Sequence, residues 1–135
     1  MSSQSLVCLD VGEKRIGVAV ADAGIRIAVP FDTVLVDGTE LQAIAAIVTR
    51  EGAKTIVVGY PRNQSGESTA QTKYVEHFAK NLVDMADKVV FQDESLTSVI
   101  AERRLQESRK PYQKGDIDMY AATIILQDYL EANYG

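Results

Sequence analysis

Residues 5–19 read Ser5-Leu6-Val7-Cys8-Leu9-Asp10-Val11-Gly12-Glu13-Lys14-Arg15-Ile16-Gly17-Val18-Ala19. Two apolar runs are joined by a short turn at Gly12 and two cations, which is the pattern of a strand, a tight turn and a returning strand. Side chains alternate along a strand, so Leu6, Cys8 and Asp10 share one face and Val7, Leu9 and Val11 the other. Both faces are apolar, so this strand is expected to be buried on both sides. An ionised aspartate at its end is costly unless it is paired or binds a metal. Asp10 is therefore the first residue that asks for a chemical explanation.

The rest of the chain extends this hairpin. Residues 14–22 return antiparallel to 5–11, and 26–36 form a third β segment that Pro30 marks as an edge or a bulge. The period then changes. Thr39-Glu40-Leu41-Gln42 has the form of a capping box, Leu41, Ile44, Ala45 and Val48 recur at helical spacing, and Gly52 ends the helix. Residues 54–60 read as a short buried strand closed by Gly59 and Pro61. Ser68-Thr69-Ala70-Gln71 is a second capping-box pattern, opening a helix whose apolar stripe runs from Val75 to Ala86. Residues 88–94 are the last strand. Ser95 or Thr97 caps a third helix carrying Leu96, Val99, Ile100 and Leu105, and a basic loop over 107–115 leads to a final helix over 116–132. The order βββαβαβαα predicts an α/β fold. Its mixed five-stranded sheet has a three-strand antiparallel meander, two parallel strands reached by right-handed crossovers, and helices on both faces.

Composition narrows the function. With 135 residues, residues 1–135 are expected to form a single domain with a real core. No run approaches the ~20 apolar residues of a membrane helix. The N-terminal Met-Ser-Ser-Gln-Ser has no basic region that would mark export, so a cytoplasmic protein without membrane contact is expected. Cys8 is the only cysteine, which excludes an intrachain disulfide and a cysteine zinc site. A net charge of −5 argues against indiscriminate binding to nucleic acid. Yet five of the 14 basic residues (Arg103, Arg104, Arg109, Lys110 and Lys114) fall within twelve positions and can form a local basic strip.

Three acidic positions stand out. Asp10 ends the first strand, Asp93 and Glu94 end the last, and Asp118 lies in the first turn of the final helix. The C-terminal ends of parallel strands lie along one edge, where α/β sheets receive their ligands. Asp118 shares its helix face with Ala121, Ala122, Ile125 and Tyr129, so it points to the sheet, whereas Asp116 suits the helix N-cap. Carboxylates gathered without His or Cys suit Mg²⁺ or Mn²⁺, and such ions assist phosphoryl displacement. Lys14, Arg15 and the 103–114 strip are the cations that could hold a phosphate backbone nearby. His77 lies off its helix's stripe and reads as a surface residue, and Cys8 as a core residue.

At these residues the chain resembles the YqgF/RuvX family, whose members are described as Holliday junction resolvases and as pre-16S rRNA nucleases. The resemblance rests on four stretches in order. They are Leu9-Asp10-Val11-Gly12 with Arg15-Ile16-Gly17-Val18-Ala19, then Val57-Val58-Gly59-Tyr60-Pro61 with Gly66, then Asp93-Glu94-Ser95-Leu96-Thr97-Ser98, and last Lys114-Gly115-Asp116-Ile117-Asp118. It implies an RNase H-like fold. It also implies Mg²⁺ or Mn²⁺ as cofactor, with Asp10, Glu94 and Asp118 as the catalytic, metal-binding acids, and so favours Glu94 over Asp93. The expected nucleic-acid contacts are Lys14, Arg15, Arg62, Arg103, Arg104, Arg109, Lys110 and Lys114. The expected activity is that of a metal-dependent endonuclease, a hydrolase of phosphodiester bonds, in 5′-end processing of precursor 16S rRNA during ribosome biogenesis. A Holliday junction resolvase of DNA recombination and repair is the alternative, and a non-catalytic nucleic-acid-binding ribosome-assembly factor is a third. The partners would be rRNA precursor or branched DNA, bound by a monomer or a homodimer. The chain departs from the family pattern at Ser95, where the family has Arg. An actin- or sugar-kinase-like phosphate hairpin also begins Asp-x-Gly, but this chain is long enough for only half of that two-domain cleft.

Overall fold

The computed structural model describes residues 5–61, 69–94 and 97–134. The first apolar run becomes strand β1 (Ser5–Val11), and the turn after it is closed by a hydrogen bond from Gly12 N to Arg15 O. Strand β2 (Arg15–Asp22) returns antiparallel, with Asp10 opposite Gly17 and Cys8 opposite Ala19. Strand β3 (Val29–Leu35) continues the meander. It is an edge strand, and its pairing slips between Val18 and Ala19, where Pro30 cannot donate to the ladder. Residues 26–28, expected to be β, belong instead to the approach from a turn in which Ile25 N and Arg26 N both donate to Asp22 O.

Strands β4 (Ala53–Tyr60) and β5 (Lys88–Asp93) add in parallel on the other side of β1, giving the order β3-β2-β1-β4-β5. β1 is thus the central strand, which explains why both its faces are apolar: Leu6, Val7, Cys8 and Leu9 are all buried. One face packs Val7, Leu9, Ile16, Val18, Ile56 and Val58 under helices α1 (Glu40–Glu51) and α2 (Ala70–Lys80). The other packs Leu6, Cys8, Ala19, Ala21 and Val57 under helix α4 (Lys114–Tyr134). Helix α3 (Thr97–Ser108) lies against α4. The mixed sheet with helices on both faces is the arrangement expected from the element order, and it agrees with the RNase H-like fold that the resemblance implies.

The local differences have physical causes. Thr39 is the N-cap of α1, but its hydroxyl donates to Asp37 Oδ1 and makes no capping bond, because the Asp37 carboxylate has taken it. In α2 the cap is Thr69, accepting from Thr72 N, and Gln71 reaches instead to Val11 O; Ser68 lies outside the described residues. α2 ends at Lys80, short of Ala86. Asn81, Leu82 and Met85 donate to carbonyls three residues back, a tighter winding that still buries Leu82 but leaves Val83 59% exposed. In α3 the fully buried apolar residue is Ala101, while Val99 and Ile100 face solvent; Leu96 lies outside the described residues. α4 begins two residues before Asp116, which caps from inside the first turn by accepting from Gln113 N.

Candidate active site

Asp10 lies on the α4 face of the sheet, flanked by two glycines. Gly17 is its antiparallel partner, and the parallel pairing of Leu9 with Val58 puts Gly59 next on the other side. Neither glycine is there for a turn. A Cβ on Gly17 would sit 1.9 Å from the main-chain oxygen of Asp118, so α4 rests directly on the β2 backbone. A Cβ on Gly59 would lie 2.6 Å from Glu94 Oε2 and 2.8 Å from Ile125 Cδ1. The missing side chains leave the space into which Glu94 and the first turns of α4 settle beside Asp10. The sequence marks Gly59 only as a strand end, whereas β4 runs through it to Tyr60, and it gives Gly17 no separate role; the signal for more was their place on the strand face that also carries Asp10.

Glu94 follows the last residue of β5 and is held through its backbone. Its N–H donates to Tyr60 O at 3.3 Å, and its carbonyl accepts from Thr97 N at 3.1 Å and from the buried Thr97 hydroxyl at 2.9 Å. Thr97 therefore opens α3 as a donor to Glu94. Asp93, the other acid of the pair, is exposed at the end of β5.

The Asp10 and Glu94 carboxyl groups hydrogen-bond to each other. Burial pushes the Glu94 pKa up to about 9, and the hydrogen bond and charge of Asp10 push the same way. Burial also raises Asp10, the bond to Glu94 opposes this, and the charge of Asp118 adds to it. Two acids in this position share a proton, because ionising both side by side in a largely buried cleft is costly. Cys8, two residues back on the same face, has its thiol pushed up by burial and then by these two acids.

Asp118 approaches from α4 on its buried face, as its helical spacing predicts, but it is turned to Arg15, whose Nε donates to Oδ2 at 2.7 Å. The two side chains are 32% and 23% exposed, so the bond is partly shielded from water. Among the described residues no three acids, histidines or cysteines are gathered closely enough to hold a metal ion. The donor chemistry nevertheless fits a hard divalent cation: the Asp10–Glu94 pair offers only carboxylate oxygens and carries a proton where a cation would relieve the repulsion.

Among the described residues, the remaining cations named from the sequence are exposed at several places on the molecule. Lys14 is exposed in the β1–β2 turn. Arg103 and Arg104 are exposed on α3, and the charge of Arg104 pulls back the Asp128 pKa, which burial and Glu131 raise. Arg109 ends α3 with a positive φ of 59°, and Lys110 and Lys114 are exposed on either side of the α3–α4 connection. Arg62, Gly66 and Ser95 lie outside the described residues. His77 is exposed and Cys8 buried, as expected.

Residues 4–132 match the RuvX family, described as Holliday junction resolvase. A protein of Chloroflexus aurantiacus named "Putative pre-16S rRNA nuclease" is 43% identical over 137 residues, covering 98% of this chain and 90% of its own. A Sulfurihydrogenibium protein of the same name is 36% identical, covering 91% of this chain and 87% of its own. Among solved structures, RuvC of T. thermophilus in complex with a Holliday junction substrate superposes with a TM-score of 0.57 at 13% identity, covering 98% of this chain and 96% of that one. The Fowlpox virus resolvase in complex with junction DNA gives 0.57 at 13% identity, covering 96% of this chain and 98% of that one. At that identity these two likenesses speak for the fold. No described helix is long and apolar enough to cross a membrane. The match along nearly the whole chain and the identity to its relatives establish that this protein belongs to the RuvX (YqgF) family.

Proposed function

We propose that the protein is a metal-dependent endonuclease that hydrolyses phosphodiester bonds in precursor 16S rRNA. The observation that carries this reading is the proton-sharing Asp10–Glu94 pair at the C-terminal edge of the parallel strands, with Asp118 beside it. The names of the curated relatives supply the substrate class. Asp10 and Glu94 would hold the Mg²⁺ or Mn²⁺, and Asp118 would join them once Arg15 exchanges its carboxylate for a phosphate. When bound, a divalent ion polarises a phosphoryl oxygen and makes water a better nucleophile at neutral pH.

The protein's own groups prepare that chemistry. Asp10 and Glu94 give up their shared proton as the cation arrives. Arg15 uses Nε on Asp118, and the rest of its planar fork has the geometry to take a phosphate oxygen. α4 covers the sheet face and leaves the three carboxylates only partly open to water. Lys14 and Lys114 stand at the rim as backbone contacts.

The test is cleavage of a precursor rRNA 5′ end and of a four-way DNA junction, each with Mn²⁺, by the natural chain and by Asp10→Asn. The natural chain is expected to cut the precursor, and Asp10→Asn to be at least ~100-fold slower with an unchanged circular dichroism spectrum. Precursor cleavage at the natural rate by Asp10→Asn removes this reading. The family's description favours a second one, junction resolution in DNA repair, which needs a two-fold pair of subunits for two symmetric cuts. Cutting of the junction alone selects it. Binding of precursor that survives Asp10→Asn, with no cutting of either substrate, selects an assembly factor.

A further inference from the structure

On the outer side of α4 a cleft of about 720 Å³ opens between the start of β3, the end of α3 and the α3–α4 connection. Its size is within the ~300–1,000 Å³ typical of small-molecule sites. Pro30 and Met119 contribute apolar wall, Tyr112 and Tyr120 contribute two aromatic rings, and Arg104 and Lys110 contribute cations. Tyr120 is 39% exposed, so part of its ring is open to the cleft. The wall is well anchored. Ala28 N and Arg26 O are both bonded to the Gln127 side chain of α4, and Thr33 Oγ1 donates to Gly115 O at the helix start. Asp116 also lines the cleft, but its Oδ2 already accepts from Gln113 N.

Apolar wall, partly exposed aromatic rings and two cations together match the chemistry of one unpaired nucleotide: base on ring, phosphate on cation. Charge selects the same occupant, because the cleft draws its cations from the basic strip of an otherwise acidic protein. Met119 follows Asp118 directly, so the cleft and the carboxylates lie on different faces of one helix turn. We propose that this cleft binds an unpaired nucleotide flanking the bond to be cut, its base against Tyr120 and Tyr112 and its phosphate on Arg104 and Lys110. The proposal rests on the nuclease reading and adds a substrate class to it: the scissile bond has a single-stranded neighbour.

The test uses the full chain carrying Asp10→Asn, which prevents cutting, and a labelled single-stranded RNA of about 12 nucleotides followed by fluorescence anisotropy. Adding Tyr120→Ala, or Arg104→Ala with Lys110→Ala, is expected to weaken binding about tenfold, whereas Tyr120→Phe keeps it within about twofold. A fully paired duplex of the same sequence should bind equally with and without Tyr120→Ala. A 4-thiouridine strand should crosslink to Tyr112 or Tyr120, a readout that does not depend on any substitution in the cleft. The proposal is overturned if Tyr120→Ala binds the single strand as tightly as its parent. It is equally overturned if the crosslinks fall elsewhere, or if no strand binds and the cleft instead takes a protein. Tyr120-dependent binding by a natural chain that cuts neither substrate would defeat the nuclease reading, and with it the place beside a scissile bond, and leave only single-strand binding in this cleft.

Discussion

A methyl group at position 17 meets a peptide bond, whereas one at position 59 meets the ends of two side chains. The difference sets the cost of substitution. Gly17→Ala must push α4 off the sheet, and overpacking against backbone costs about 3 kcal/mol or more. In a domain of this size that lowers Tm by roughly 10 °C, measurable by calorimetry. Gly59→Ala can be absorbed by moving the Glu94 carboxylate and the tip of Ile125. Its melting point should fall by only a few degrees while cleavage falls much further. The protonation of Glu94 gives a second test. In the unfolded chain this acid titrates near its ordinary 4.5, and in the native protein burial and Asp10 hold it to about 9. Between those values the native state binds the extra proton, so stability falls as pH rises and levels off above about 9. The metal-free protein should therefore melt progressively lower from pH 5 to pH 9, and Glu94→Gln should flatten most of that slope. If Mn²⁺ binds in place of that proton, as the proposed function requires, it should raise Tm more at pH 8 than at pH 6.

The helices differ in how well their roles could be read beforehand. α4 is legible because Asp118 shares its spacing with residues that bury, and Ala121, Ala122, Ile125 and Tyr129 do lie against the sheet. α3 is not legible in the same way. Its apolar residues suggest a buried stripe, but among its described apolar residues Ala101 alone is fully buried. Its first turn is committed to Glu94 through Thr97, so Thr97→Val should loosen the acid, costing about 1 kcal/mol of stability and a larger share of activity. The pairing of Arg15 with Asp118 had no sequence signal at all, since the two residues are 103 apart. That bond competes with any cation for Asp118. Arg15→Gln is expected to tighten Mn²⁺ binding several-fold by titration calorimetry while weakening the hold on nucleic acid. Tighter metal binding in that variant would be hard to explain if Arg15 served only as a phosphate contact.

For the molecule as a whole, the order of strands was open to reading because each segment's apolar period and the crossover rule agree. What escaped was the detail that depends on competition between neighbours, such as Asp37 taking the Thr39 hydroxyl or α2 tightening before Leu82. The central position of β1 predicts uneven protection. Amides of β1 and β4 should exchange slowest with deuterium, and those of β3, at an edge with a slipped pairing, and of α3 should exchange first. The contact between the β2 backbone and the start of α4 has one more effect, on the timing of manufacture. A nascent chain emerging from the ribosome can lay down β1, β2 and Asp10 early, yet nothing covers that face until the residues around 118 have been added. A polypeptide stalled or truncated ahead of α4 carries Asp10 and Glu94 but neither Asp118 nor the helix that covers their sheet face, so an incompletely synthesised copy lacks the assembled site.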